Sequence, residues 1–173
     1  MSCIQINRVK INYQSLGNDT APLMLFVHGR GKSWQTWEDA MRLLSSRYRC
    51  YALDLIGHGE SEKPDCRHTI SQFVELGKDF CHELNITRAI VMGHSMGGQI
   101  ALALTLEYAD LVDRLILVAP VVTGRLSPSA ERLVPIPVML LLSIPRVGQA
   151  LPKICRQQRV LQRGTSLWME FLM

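Results

Sequence analysis

Residues Ile90-Val91-Met92-Gly93-His94-Ser95-Met96-Gly97-Gly98 form a short apolar run that ends in a Gly-x-Ser-x-Gly pattern. The run has the length of a strand, and Gly98 to Ala109 are rich in strong helix formers. The spacing therefore predicts a strand, a sharp turn at Ser95 and a helix. A side chain at either second neighbour of the serine would collide with the backbone crossing it, and glycine at Gly93 and Gly97 removes that obstacle. Such a turn displays the Ser95 hydroxyl above the sheet. It also puts the Met96 N–H at a helix start, where unpaired amides favour negative charge. The bare pattern recurs by chance in about one chain of this length in twenty, so the strand before it and the helix after it carry the inference. The plainer alternative is a glycine-rich connection in which Ser95 has no chemical role.

Working outward, Ile4, Ile6, Val9, Ile11 and Tyr13 alternate with polar residues, which predicts an antiparallel hairpin at a sheet edge. Leu23 to Val27 is continuously apolar, as expected of a strand covered on both faces, and runs into His28-Gly29-Arg30-Gly31. A helix is expected over Trp37 to Ser46. A second buried strand, Arg49 to Asp54, delivers Asp54 into a loop bearing Gly57 and Gly59. Thr69 or Ser71 then caps a helix that reaches about Leu84, and Val112 to Pro120 reads as a further strand. Strands alternating with helices predict an α/β fold with a doubly wound, mostly parallel sheet, whose ligands bind outside the carboxyl ends of the strands. After Val121 the period changes. Pro128, Pro135, Pro137, Pro145 and Pro152 punctuate short helical pieces, and the apolar Val138 to Leu142 is far shorter than the roughly 20 residues that span a bilayer. A helical lid is expected there, without stable membrane insertion.

The totals narrow the class. With 173 residues, 47% hydrophobic and 20% charged, the chain suffices for one domain with a core. The formal net charge of +4 belongs to the last third, where 7 basic residues meet 2 acidic ones. These are scattered without interleaved aromatics, which fits a solvated face and not a nucleic-acid site. Five cysteines, odd in number and with no C-x-x-C pair, predict free thiols and no structural metal. The first residues lack the basic and apolar regions of a signal peptide, so a cytoplasmic location is expected.

Four features stand in order: His28-Gly29 after a strand, Asp54-x-x-Gly57-His58-Gly59-x-Ser61 after the next, the Gly93 to Gly98 elbow, and the Ala119-Pro120 strand end. Together they resemble the first half of an α/β-hydrolase, the family of esterases, carbon–carbon bond hydrolases and related enzymes, over residues 4–123. The resemblance implies two units: residues 1–123 as the N-terminal part of the hydrolase core, and residues 124–173 as the beginning of a helical cap. It implies Ser95 as a nucleophile attacking an acyl carbon, with the oxyanion held by the backbone N–H groups of Met96 and Arg30. Gly29, Gly93 and Gly97 would shape that site. The implied substrate is a small, partly apolar ester, thioester or related carbonyl compound, handled without cofactor or metal. His28, His58 and His94 would support loop geometry, Asp54 would brace a loop, and Trp37 would pack on the core. Dehalogenases and epoxide hydrolases of this fold resemble the chain less, because they place aspartate at the nucleophile position.

A serine of ordinary basicity needs a histidine to take its proton and a carboxylate to orient that histidine. The family order is serine, acid, histidine. After Ser95 there is no histidine, and the carboxylates Glu107, Asp110, Asp113, Glu131 and Glu170 do not stand where the family places its acid. The expectation is a chain truncated inside its cap, poor as an enzyme by itself, with an exposed sheet edge open to self-association. The alternative is a non-catalytic binding module or a non-functional fragment.

Overall fold

The computed structural model describes residues 2–121. The lid expected over 124–173, with its proline-punctuated pieces, lies outside the described residues. Six strands form one sheet: β1 (Ser2–Ile6), β2 (Val9–Leu16), β3 (Leu23–Val27), β4 (Arg49–Leu53), β5 (Ala89–His94) and β6 (Val112–Val118). Their spatial order is β1-β2-β4-β3-β5-β6. The first two are the expected edge hairpin, with Ile6 opposite Val9, and β2 lies antiparallel to β4. From β4 through β3 and β5 to β6 all pairings are parallel. The helices are α1 (Glu38–Leu44), α2 (Ile70–Glu83) and α3 (Met96–Glu107). Among the described residues no helix is long and apolar enough to cross a membrane.

The period of two along each strand sorts the core into two layers. Met24 and Phe26 of β3, Cys50 and Ala52 of β4, and Ile90 and Met92 of β5 face Trp34, Trp37 and Met41. Leu25, Val27, Tyr51, Leu53 and Val91 face the other way, onto Phe73, Phe80, Ile100 and Leu104 of α2 and α3. The continuous apolar runs thus follow from burial on both faces. Thr69 is the helix cap: its side chain accepts from the Gln72 N–H at 3.3 Å while the Gln72 side chain accepts from the Thr69 N–H at 2.8 Å. The helix expected over Trp37 to Ser46 differs. It is a 3-10 turn, Trp34–Trp37, followed by α1. In a 3-10 turn residues three apart stack on the same side, and this brings both buried indoles onto the β3 and β4 surface.

The carboxyl ends of β3 and β4 are joined by His28, which is fully buried. Its Nε2 accepts the Leu55 N–H at 3.0 Å, and its Nδ1 donates to the Gly29 carbonyl at 2.8 Å. That pair of bonds requires the neutral ring. Burial pushes the His28 pKa below its ordinary 6.5, and the Gly29 carbonyl opposes the shift only in part.

Among the described residues Cys3, Cys50, Cys66 and Cys81 are free thiols. Burial raises Cys50 to about 11 and Cys81 to about 12. Near neutral pH, iodoacetamide is expected to modify the exposed Cys3 and Cys66 and to spare Cys50 and Cys81 until the fold opens, as peptide mass spectrometry would record. A second expectation concerns acid. Because the unfolded imidazole takes a proton more readily than the native one, stability contributed by neutral His28 is present above about pH 6.5 and lost as pH falls below it. Urea midpoints between pH 7.5 and 5 should therefore decline. The decline should be shallower in His28→Gln.

Candidate active site at the nucleophile elbow

The turn between β5 and α3 places Ser95 at φ 54°, ψ −118°, a conformation that costs a non-glycine residue about 1–3 kcal/mol and persists only when its surroundings enforce it. Four backbone hydrogen bonds do so. The Ser95 N–H donates to Val118 O at 3.0 Å, and the Ser95 carbonyl accepts from Gly98, Gln99 and Val121 at 3.0, 3.3 and 3.0 Å. The elbow is thereby clamped between the end of β6 and the first turn of its own helix.

Glycine is required on both sides. A Cβ at Gly93 would lie 2.2 Å from the Gly97 carbonyl oxygen, and one at Gly97 would lie 2.2 Å from Val27 O and 2.5 Å from His28 O. These are backbone obstacles, which cannot swing aside. The Ser95 side chain, the usual cap of such a helix, makes no capping hydrogen bond. Its hydroxyl is left available. Met96 opens α3, so its N–H has no acceptor inside the helix. The helix starts at Met96, as the sequence reading expects, because close backbone packing outweighs the low helix propensity of Gly97 and Gly98.

The loop after β3 lies against this elbow. A Cβ at Gly29 would stand 3.2 Å from the Ser95 Cβ and 3.2 Å from His94 Nδ1. Arg30 follows, exposed, and the chain turns back at once, with Gly31 at φ 68° and the Lys32 N–H donating to Gly29 O at 3.2 Å. The structure thus brings Gly29, Gly93, Ser95, Met96 and Gly97 together, with Arg30 one peptide away.

The other polar residues have structural partners. Asp54 is fully buried; its Oδ1 accepts the Trp34 N–H at 2.7 Å, and its Oδ2 accepts the Glu60 N–H at 2.8 Å and Asn12 Nδ2 at 2.9 Å. The Ser61 hydroxyl donates to the Asp54 carbonyl at 2.7 Å and accepts the Asn12 N–H at 2.8 Å. Gly59 packs so closely over this carboxylate that a Cβ would fall 2.1 Å from Oδ2. Asp54 therefore ties three segments together with both carboxylate oxygens engaged. His58 Nδ1 donates to the Ile56 carbonyl at 3.1 Å. The His94 ring stands edge-on to Trp37, with a buried Nδ1 that has no hydrogen-bond partner among the described residues. Trp37 itself lies on Phe26 at 5.3 Å, in the core. His68 and His82 sit apart from the elbow, against Phe73 and Glu83. The sequence pattern passes over Asn12, whose neighbours in an alternating strand suggest a solvent-facing position.

Comparison with known proteins agrees with this geometry. The family model for the alpha/beta hydrolase fold matches residues 22–149. Epoxide hydrolase 1 of Caenorhabditis elegans is 33% identical over 115 residues, 65% of this chain and 28% of the relative. Human Epoxide hydrolase 4 is 32% identical over 117 residues, 66% of this chain and 32% of the relative. Among solved structures, the enol-lactonase from Burkholderia xenovorans superposes with a TM-score of 0.67 at 29% identity, covering 69% of this chain and 46% of that one. The chain spans about a third of the length of the curated relatives it matches. Strand order, elbow and family match converge: this chain belongs to the α/β hydrolase fold family.

Proposed function

We propose that Ser95 is the nucleophile of an acyl-transfer hydrolysis, acting on an ester, thioester or related carbonyl bond of a small, partly apolar substrate. The observation that carries this is the display of Ser95: a strained residue held by four backbone bonds, its hydroxyl not spent on capping the helix that begins beside it. Attack by Oγ on the carbonyl carbon converts the carbonyl oxygen to an oxyanion. The N–H groups of Met96 and Arg30 receive that charge, one at the head of α3 and the other in the loop that Gly29 holds against the elbow. Two such donors, fixed before the reaction, are worth several kcal/mol together, since removing one costs about 2.7–4 kcal/mol elsewhere. Collapse expels the alcohol or thiol and leaves an acyl ester on Ser95, which water then hydrolyses.

The matched relatives include proteins named epoxide hydrolases, and the residue at the elbow favours the acyl reading over theirs. An aspartate attacks as a ready anion, whereas a serine hydroxyl must surrender its proton during attack and suits a carbonyl whose oxyanion is stabilised nearby. The base is not supplied from within the elbow. His28 and His58 are committed to backbone partners, and no histidine follows Ser95 in the 173 residues. We therefore assign to these residues the nucleophile and oxyanion half of the machinery. By themselves they retain at best roughly 10³-fold to 10⁴-fold acceleration over water, as triads lacking a member do.

A fluorophosphonate probe applied to the source cell's lysate tests this. The expected result is a covalent adduct on the peptide containing Ser95 in the protein that carries this sequence, absent from Ser95→Ala. Gly97→Ala, which drives a methyl into the Val27 carbonyl, should lower the labelling rate by at least tenfold. Intact protein that takes no label at Ser95 would overturn the acyl-transfer reading and leave the non-catalytic binding alternative.

A further inference from the structure

We propose that the site selects substrates whose acyl part bears a carboxylate, bound by the side chain of Arg30 with Lys32 in support; this rests on the acyl-transfer reading for its chemistry, and on charge placement for its specificity. The two segments that meet around Ser95 carry cations and no anion. Residues 28–37 contain Arg30 and Lys32, and the first carboxylate beyond them, Glu38, is already paired with Arg42 at 2.7 Å. From Gly93 through α3 no charged residue occurs until Glu107, at the far end of the helix. The head of α3 adds its own partial positive charge at the serine. In the neighbouring loop Asp54 is buried beneath three N–H donors, while Glu60 and Glu62 are exposed, with Lys63 beside them.

Arg30 and Lys32 are both exposed, and their side chains form no hydrogen bond or ion pair among the described residues. This contrasts with Arg49, which meets Asp19 at 3.1 Å, and Arg88, which meets Asp113 at 3.0 Å. The backbone around Arg30 is nonetheless ordered by the tight turn from Gly29 to Lys32 and by the contact of Gly29 with Ser95 and His94. A guanidinium one peptide from that contact, on a fixed backbone, is placed to take a carboxylate in a two-point bond. The substrate class is the half-ester or half-thioester of a short dicarboxylic acid, its free carboxylate a few atoms from the scissile carbonyl. Hydrolysis gives the dicarboxylic acid and the alcohol or thiol, with water as the only co-reactant.

The test uses the protein carrying residues 1–173 as its source cell makes it. Calorimetry compares glutaric acid monoanilide, a carboxylate-bearing amide that resists hydrolysis, with neutral pentanoic anilide. The carboxylate should improve affinity about tenfold, as a partly exposed charge-assisted bond does, and the gain should shrink as salt rises. Arg30→Met should bring the ratio of the two affinities toward one, while Arg30→Lys keeps part of it. Equal affinity for the two anilides, including none for either, would overturn the proposal, as would a ratio unchanged in Arg30→Met. Fluorophosphonate labelling of Ser95, measured in parallel, separates the two ideas. Labelling without a carboxylate preference removes only the specificity, and a carboxylate preference without labelling removes only the acyl-transfer chemistry.

Discussion

Where the carbonyls of Val27 and His28 press against the first turn of α3, there is room for backbone and nothing else. That approach depends on Gly97, and the matching approach of β5 to the same turn depends on Gly93. Once these chains have closed on one another, Ser95 has little choice of conformation. Its N–H is taken by the end of β6 and its carbonyl by three amides, so the strain at φ 54° is distributed into bonds that the rest of the sheet holds in place. The Ser95 hydroxyl makes no capping bond to the helix that begins beside it.

A second constraint operates one layer away. The loop after β4 needs a scaffold, and Asp54 supplies it by accepting N–H groups from β2, from the 3-10 turn and from its own loop. His28 ties the loop after β3 to the same place. Both groups are polar and fully buried, a costly situation unless every bond is made. Here the bonds are made, and the reward is a rigid loop pair at the carboxyl end of the sheet. The position of Gly29 against Ser95 follows from that rigidity, and with it the separation between the two amides assigned to the oxyanion. Pre-organisation of this sort does more for a reaction than the bonds do for stability.

The division of labour in the chain has a chemical consequence. In the acyl transfer we propose, binding the oxyanion and offering the nucleophile draw only on local backbone geometry within residues 22–121. In the proposed reaction the serine proton needs a base, and His28 and His58 are held by backbone partners. In that proposal the basic character of the loop beside the elbow goes with oxyanion binding, since cations near a developing oxyanion and near an anionic substrate act in the same sense.

Much of this was legible in the sequence. Apolar runs of strand length, helix formers between them and glycines two residues either side of a serine determine the order of elements and the existence of the elbow, because each depends on neighbours a few residues apart. The start of α2 was legible only as Thr69 or Ser71, and the structure chose Thr69 through its pairing with Gln72. What tertiary structure decided involves residues far apart. Asn12 faces Asp54 across 42 positions, and an alternating strand gives no sign that one polar residue in it turns inward. Trp34 and Trp37 fold into a 3-10 turn because both indoles must reach one buried surface, which no local propensity records. His28 and His58 were read from motif, and their backbone partners, which only the fold supplies, fix what their ring nitrogens meet, whereas the buried His94 Nδ1 meets no hydrogen-bond partner among the described residues. Periodicity reports which face of an element is apolar; only the assembled sheet reports what that face touches.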